Sequence, residues 1–325
     1  MNQKFIKFMN EFSGQKLAVA VSGGVDSVCL LCWLNEIGAR PIALHVNHGL
    51  RPAAGTEAAY VRDLCAARGI ECHILNWTGE KPATGIEAAA RTARYKLMTD
   101  FCRDNGVDAL LVAHQADDQI ETFLMNLGRG SGLTGLAAMR PVTMRDGVKI
   151  VRPLLGVWRR ELREYCDRNR IKYFSDEMND DERYTRVRIR KNRYLMADKL
   201  GISDERILLA IQNLGRVRDA IETNVADMVA RVTQNNRAVF PDSFLFDQDD
   251  DIRLKFIGTL IQKIGGDNYQ PRLNSLERAL DNLRHDCQFT LGHCTIRRLN
   301  NNILVVPEGS KTSFRTRHGK TTKSK

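Results

Sequence analysis

Residues 16–21 read KLAVAV, and the next six, Ser22-Gly23-Gly24-Val25-Asp26-Ser27, lead straight into VCLLCWLNEIG. An apolar β-branched run, a turn of small residues and an apolar helical run follow one another without a linker. This order is the strongest constraint on the fold. Similar short runs recur as PIALHV (41–46), ECHIL (71–75) and DALLVA (108–113), with helix candidates between them at 27–37, 55–68 and 86–104. Buried strands alternating with helices long enough to cross over predict a parallel α/β sheet with right-handed connections. A further strand is expected over 150–155, stopped at Pro153.

Beyond about Lys191 the pattern changes. DERILLAIQNLGRVRDAIETNVADMVARV has helical periodicity and no strand between helices, so a second, mainly helical domain is expected from about residue 200. Its far end, FTLGHCTIRRLNNNILVVPE, reads as two strands joined by a turn at Asn300 to Asn302. At 325 residues, with 43% hydrophobic and 27% charged residues, the chain is long enough for two packed cores. No apolar run reaches the roughly 18 residues that span a bilayer, so no membrane partner is expected, and the eight scattered cysteines fit reduced thiols in the cytoplasm.

The net charge of +10 favours a polyanionic partner. Lys311, Arg315, Arg317, Lys320, Lys323 and Lys325 lie in an end without acids, which predicts a basic disordered tail over 309–325.

The small residues at 22–27 let backbone N–H groups approach an anion, and the following helix N-terminus adds partial positive charge. A plain capped turn would use similar residues. The coincidence of strand, hydroxyl-Gly-Gly-x-Asp-hydroxyl order and helix favours a phosphate cradle, and no Walker A pattern is present. The run AHQADDQIETFLMNLGRGSGLTGL places Asp117, Asp118, Gln119 and Glu121 at a helix start, with Asp118 and Glu121 on one face. Such carboxylates can hold Mg²⁺ or a cationic amine; first-turn acids also complement a helix dipole. Arg91 and Arg94 share a helix face suited to a phosphate or base. His45 and His48 stand at the second strand's C-terminal edge, where open α/β sheets bind ligands. Arg183, Arg186, Arg188, Arg190, Lys191 and Arg193, interleaved with Tyr184 and Tyr194, offer phosphate and base contacts, against a salt-bridged surface built with the acids at 176–182.

The Ser22–Ser27 segment resembles the signature loop of the PP-loop ATP pyrophosphatases. Four further segments, HVNHGLR (45–51), EAAARTARY (87–95), His114 to Gly135 and Asp176 to Arg190, narrow the resemblance to the tRNA(Ile)-lysidine synthase family. Two positions depart from the commoner pattern, Gln115 for a second histidine and Asn47 for aspartate.

The resemblance implies a parallel-sheet PP-loop domain (adenine nucleotide alpha hydrolase-like) at 1–199. A smaller, mainly helical tRNA-binding domain would follow at 200–308. It implies ATP on Ser22, Gly23, Gly24, Val25, Asp26, Ser27 and His45, with Mg²⁺ at Asp26 and Asp118. Asp118 and Glu121 would handle the lysine amine, and Arg91, Arg94, Asp117, Arg129, Arg186 and Arg190 would contact substrate.

The implied partners are isoleucine tRNA with a CAU anticodon and free L-lysine, and the sequence is compatible with a homodimer. Family members are commonly longer, which implies that part of the tRNA grip is either missing or replaced by the basic tail. tRNA thiolation remains the rival chemistry, and an ATP-holding, non-catalytic tRNA binder is the rival from another class.

Three further patterns are read as structural. Gly130-Ser131-Gly132-Leu133-Thr134-Gly135 follows a helix and not a strand, so it is expected to be a substrate loop, not a dinucleotide fold. Cys29 and Cys32 sit among apolar helix residues, which predicts burial. His285, Cys287, His293 and Cys294 lack regular zinc spacing.

Overall fold

In the computed structural model, which describes residues 1–50, 54–79, 81–82, 84–174, 183–267, 269–285 and 287–310, the first alternating run becomes the central strand of a six-stranded sheet. The strands are β1 (Leu17–Ala20), β2 (Ile42–Asn47), β3 (Cys72–Asn76), β4 (Ala109–Leu111), β5 (Val142–Arg145) and β6 (Val148–Val151). They lie in the order β3-β2-β1-β4-β6-β5. All pairings are parallel except β5–β6, and Ala18 faces Ile42 on one side and Leu110 on the other.

Side-chain alternation divides the core into two layers. Leu17, Val19, Ala109, Leu111 and Val151 pack toward α1 (Gln3–Met9), α2 (Val25–Glu36), α3 (Ala54–Ala66) and α7 (Arg159–Arg168). Ala18, Leu44, Leu110 and Ile150 pack toward Tyr95, Met98 and Cys102 of α4 (Ile86–Asp104). α2 is enclosed nearly all round. Cys29, Leu30 and Leu31 are fully buried, Cys32 is almost so, and Trp33 meets Phe5 at 5.1 Å and Tyr165 at 5.7 Å.

The helices expected at 27–37, 55–68 and 86–104 are therefore found, shifted by at most two residues. The strand expected over 150–155 instead spans Val148–Val151 and gains an unforeseen antiparallel partner, β5. Asp146 and Gly147, both with positive φ, make the turn between them.

The rest of the first unit is helical: α5 (Ala116–Leu127), α6 (Leu133–Leu136), α8 (Thr185–Asn192), α9 (Tyr194–Leu200) and the start of α10 (Asp204–Val232). The chain divides into Met1–Gly215 and Arg216–Lys325. The sequence places this boundary near 200, but Ile207 and Ile211 of α10 pack on Ile120 of α5, which assigns the start of the helix to the first unit.

The second unit has more sheet than the terminal strand pair expected from sequence. Strands β7 (Thr233–Gln234), β8 (Arg237–Pro241), β9 (Phe289–Leu291), β10 (Cys294–Leu299) and β11 (Asn302–Pro307) form an antiparallel sheet in the order β7-β8-β11-β10-β9. Gly292 and His293, both at φ +54, split the first predicted strand into β9 and β10. The expected turn at Asn300 to Asn302 does join β10 to β11. α12 (Asp250–Gly265) and α13 (Leu273–Arg284) cover the apolar sheet face, following a single turn, α11 (Asp242–Phe246). α12 comes so close to the β9–β10 turn that a Cβ on Gly265 would stand 1.9 Å from the Gly292 carbonyl oxygen, so only glycine fits. Among the described residues, no helix is long and apolar enough to cross a membrane. The tail from 311 and the acids at 176–182 lie outside the described residues.

Candidate active site

The phosphate-loop candidate leaves β1 and enters α2 through a tight hydroxyl network. Ser27 Oγ accepts from the Ser22 amide at 3.1 Å and donates to the Gly24 carbonyl at 3.0 Å, while Ser22 Oγ accepts from the Gly24 amide at 3.3 Å. Gly23 has φ +93, a conformation L side chains rarely adopt. A Cβ there would also lie 3.3 Å from the ring of Phe174, whose amide donates to the Gly23 carbonyl at 2.9 Å. A chain segment some 150 residues away in sequence thus pins the loop from outside.

The loop opens into a cleft of about 960 Å³ at the C-terminal edge of β1, β2 and β4. Its walls include Asp26, His45, His48, Arg91, Arg94 and His114. His45 is buried, with Nδ1 at 2.8 Å from the Val21 carbonyl. That carbonyl can only accept, so Nδ1 carries the proton and Nε2 is left as an acceptor. Burial holds His45 below the ordinary histidine range. It also takes His48 down to about 4 and His114 to about 3, with neighbouring arginines adding repulsion. The Nδ1 atoms of His48 and His114 are buried without a hydrogen-bond partner.

Arg91 lies over the Tyr95 ring at 5.4 Å, and burial and the Arg91 charge lower the pKa of Arg94. Neither arginine has a carboxylate partner among the described residues. The wall they form carries positive charge, and Glu57 and Glu87 line the same cleft.

Asp26 faces the other way. Burial pushes its carboxyl up to about 6, against the pull of Arg159 and with the charges of Asp118 and Asp117 adding to the rise. Its Oδ1 is buried without a hydrogen bond and lies 3.6 Å from Arg159 Nε, which is also unpartnered. A buried carboxylate near Asp117 and Asp118, with Arg159 as its ion-pair partner and one oxygen without a hydrogen bond, can still take a divalent cation.

Beside Asp26 stands an acid–arginine cluster built by α5 and α8. Arg186 donates to Glu121 at 2.6 Å and to Asp118 at 2.9 Å, and Arg190 donates to the other Glu121 oxygen at 2.7 Å. Arg193 pairs with Asp117 and lies 3.4 Å from Asp204. Asp118 and Glu121 sit three apart on α5, and Arg186 and Arg190 four apart on α8, so two helix faces meet charge to charge. Glu121 is fully buried, whereas the Asp118 side chain keeps 15% of its exposure.

Gln115, the departure from the commoner family pattern, has a local job. Its side chain accepts from the Asp117 amide at 2.6 Å while Asp118 accepts from the Gln115 amide at 3.0 Å, which closes a capping box at the start of α5.

The sequence-predicted residues are thus largely brought together. Ser22, Gly24, Val25, Asp26, Ser27, His45, Arg91 and Arg94 border the cleft while Gly23 is buried behind it, and Asp117, Asp118, Glu121, Arg186 and Arg190 form the cluster next to Asp26. Arg129 is exposed past the end of α5 and joins neither group. The 130–135 segment folds into the turn α6, tied down by Asn126 donating to the Gly135 carbonyl at 2.8 Å. Cys29 and Cys32 are buried; Cys294 is in the core and Cys287 is exposed, so the terminal His/Cys set is not gathered at one point. Arg51 lies outside the described residues. Sequence reasoning misses Arg159 and Phe174 as site residues. Their roles depend on packing against residues far away in the chain, which leaves no local pattern.

Fold and site together define the class: residues 1–195 match the PP-loop domain family. The chain is 36% identical over 312 residues to the tRNA(Ile)-lysidine synthase of Wolbachia pipientis wMel, covering 92% of this chain and 72% of that protein. It is 38% identical over 296 residues to that of Ruegeria pomeroyi, covering 88% and 70%. The chain belongs to the tRNA(Ile)-lysidine synthase family. Among solved structures, the U34-tRNA thiolase NcsA from Methanococcus maripaludis, with its 4Fe–4S cluster, superposes with a TM-score of 0.56 at 19% identity, over 66% of this chain and 79% of that one. This likeness concerns the fold.

Proposed function

We propose that the protein ligates free lysine to C2 of the wobble cytidine of an isoleucine tRNA with a CAU anticodon. The reaction forms lysidine and changes codon specificity from AUG to AUA. The observation that carries this reading is the placement, at one sheet edge and in a member of this family, of an anion-binding loop beside a carboxylate cluster.

In the first step the C2 oxygen attacks the α-phosphate of ATP and pyrophosphate leaves. The amides at 22–24 and the N-terminus of α2 stabilise the charge that develops there. Asp26, with the charge of Asp118 behind it, is the residue that would hold Mg²⁺, which when bound neutralises the phosphates. Arg91 and Arg94 supply the cations for the RNA or nucleotide phosphates.

In the second step the ε-amine of lysine attacks the adenylated carbon and AMP leaves. The amine must arrive oriented and lose a proton. Asp118 is assigned to it, because it retains access to solvent. Glu121, enclosed by two guanidinium groups, sets the position of Arg186 and Arg190 for the bound amino acid. Thiolation would need a reactive cysteine at the site, and the described residues lining the cleft include none.

Incorporation of labelled lysine into bulk bacterial tRNA, with and without ATP, tests this reading. ATP-dependent label confined to the CAU isoleucine tRNA is expected. AMP release without label would transfer the reaction to another nucleophile. Asp118→Asn is expected to abolish incorporation and leave tRNA binding largely intact; unchanged incorporation removes Asp118 from the mechanism.

A further inference from the structure

A second, open cavity of about 550 Å³ shares Phe174 with the nucleotide cleft and has no role in the reaction described so far. Phe174 borders both. Its ring is 36% exposed and meets Tyr60 of α3 edge-on, at 5.1 Å and 85°. The corner is held in shape, since the Tyr60 hydroxyl donates to the Lys172 carbonyl and the Phe174 amide to Gly23. Arg170 and Lys172, both exposed, edge the same cavity and have no carboxylate partner among the described residues. The one acid among the described rim residues, Asp167, accepts from the Tyr173 hydroxyl at 3.1 Å.

Tyr60 and Phe174, packed edge to face on one another, both line the cavity and offer it aromatic surface for a flat guest, and two cations without a carboxylate partner among the described residues suit an anion attached to that guest. A base with its phosphate meets both requirements, and single-stranded RNA is read by such stacking platforms. We infer that this cavity receives an unstacked base of the RNA substrate adjacent to the cytidine being modified, with its phosphate on Arg170 and Lys172. The inference rests on the tRNA reading above. The shared wall supplies the geometry: a nucleotide reacting in the cleft that Phe174 borders has its chain neighbour within reach of the cavity that Phe174 also lines.

The test uses a fluorescent anticodon stem-loop RNA bearing CAU, and two partners with a single abasic nucleotide on the 5′ or the 3′ side of the cytidine. Binding to the full chain is measured by anisotropy across a salt series. Wild type is expected to lose about tenfold in affinity for one abasic RNA. Tyr60→Leu should lose about as much for the intact RNA and become indifferent to that abasic site.

Arg170→Ala/Lys172→Ala, both at exposed positions, should flatten the log–log salt dependence by about 0.7 for each phosphate no longer neutralised. This pair keeps the inference testable if Tyr60→Leu does not fold. An abasic penalty equal in wild type and Tyr60→Leu, or an unchanged salt slope in the double variant, overturns the inference while the functional reading stands. Wild-type protein that binds no RNA overturns both.

Discussion

The two units differ in what they bury. Among the described residues, six of the seven buried polar side chains lie in the first unit, including Ser27, His45, Gln115, Gln119 and Glu121; the second has Arg218 alone. His45 lies toward the C-terminal end of β2, and the other four stand in or after the loops leaving that edge of the parallel sheet. Burying polar groups costs free energy unless each finds a partner. The first unit offsets that cost with two apolar layers and with ion pairs, and it still leaves Asp26 and His114 with unpartnered atoms. The second unit is an apolar core closed by an antiparallel sheet. Arg253 Nε of the second unit is also buried without a hydrogen bond, so it is the gathering of buried polar side chains that separates a reactive region from a scaffold, and four perturbations test the distinction.

The largest stability effect is expected in the scaffold. Phe256 is fully buried and meets Phe240 at 5.4 Å and Phe244 at 5.6 Å, so Phe256→Ala should cost about 4 kcal/mol. Denaturant unfolding should show that loss, and ATP binding should not change. A matching fall in ATP affinity would break the distinction.

Glu121→Ala comes next, at about 3 kcal/mol, because it strips both partially exposed arginines of their buried partner. Here lysine incorporation should collapse under conditions where the protein is still folded. A variant with lowered stability and full activity would make the cluster purely structural.

A pair of glycines sharpens the point. Gly23→Ala introduces a side chain at φ +93 against the Phe174 ring and should cost about 2 kcal/mol, with a clear loss of ATP affinity. Gly266→Ala, at φ +76 with open space around it, should cost about 1 kcal/mol and leave nucleotide binding alone. Isothermal calorimetry with ATP on both variants separates the outcomes.

The smallest effect is in pH dependence. Asp26, raised from 3.8 to about 6, takes up its proton more readily folded than unfolded. Its contribution therefore stabilises the protein fully below about 4 and is lost as pH rises through 6. His114, lowered from 6.5 to about 3, has the opposite sign: stability is lost as pH falls from 6.5 toward 3. Melting curves of the metal-free protein should show these opposed slopes. Asp26→Asn should erase the stability component near pH 6; its persistence would assign that component to another group.

Much of the first unit is legible because its determinants are local. The strands at 16–21, 41–46 and 108–113 announce themselves as apolar runs, and Pro153 stops β6. Gly292-His293 is a turn signal hidden inside a run that otherwise reads as one strand, so β9 escapes a reading by pattern, and β5, ahead of the Asp146-Gly147 turn, lies in a stretch assigned no element. In the site, the acids of α5 and the arginines of α8 are each visible, but Glu121 and Arg186 are 65 residues apart. No period or spacing encodes that pairing; only the packing of α8 on α5 does. Gln115 teaches the complementary lesson, since a departure from a family pattern serves helix capping.

The enclosure of α2 has a consequence for the energetics of nucleotide capture. A helix buried from Ser27 to Leu34 cannot rotate or slide without disturbing the layers around it, because packed cores yield in discrete steps and not continuously. Its leading amides are held in place before any phosphate arrives, so little chain entropy is surrendered at that end on binding. Amide hydrogens such as that of Val28, bonded to the Gly24 carbonyl at 3.0 Å, should exchange only through global unfolding even before ATP is added. The ordering that accompanies catalysis must then fall on the other wall of the cleft, where Arg91 and Arg94 stand on a helix with one open face.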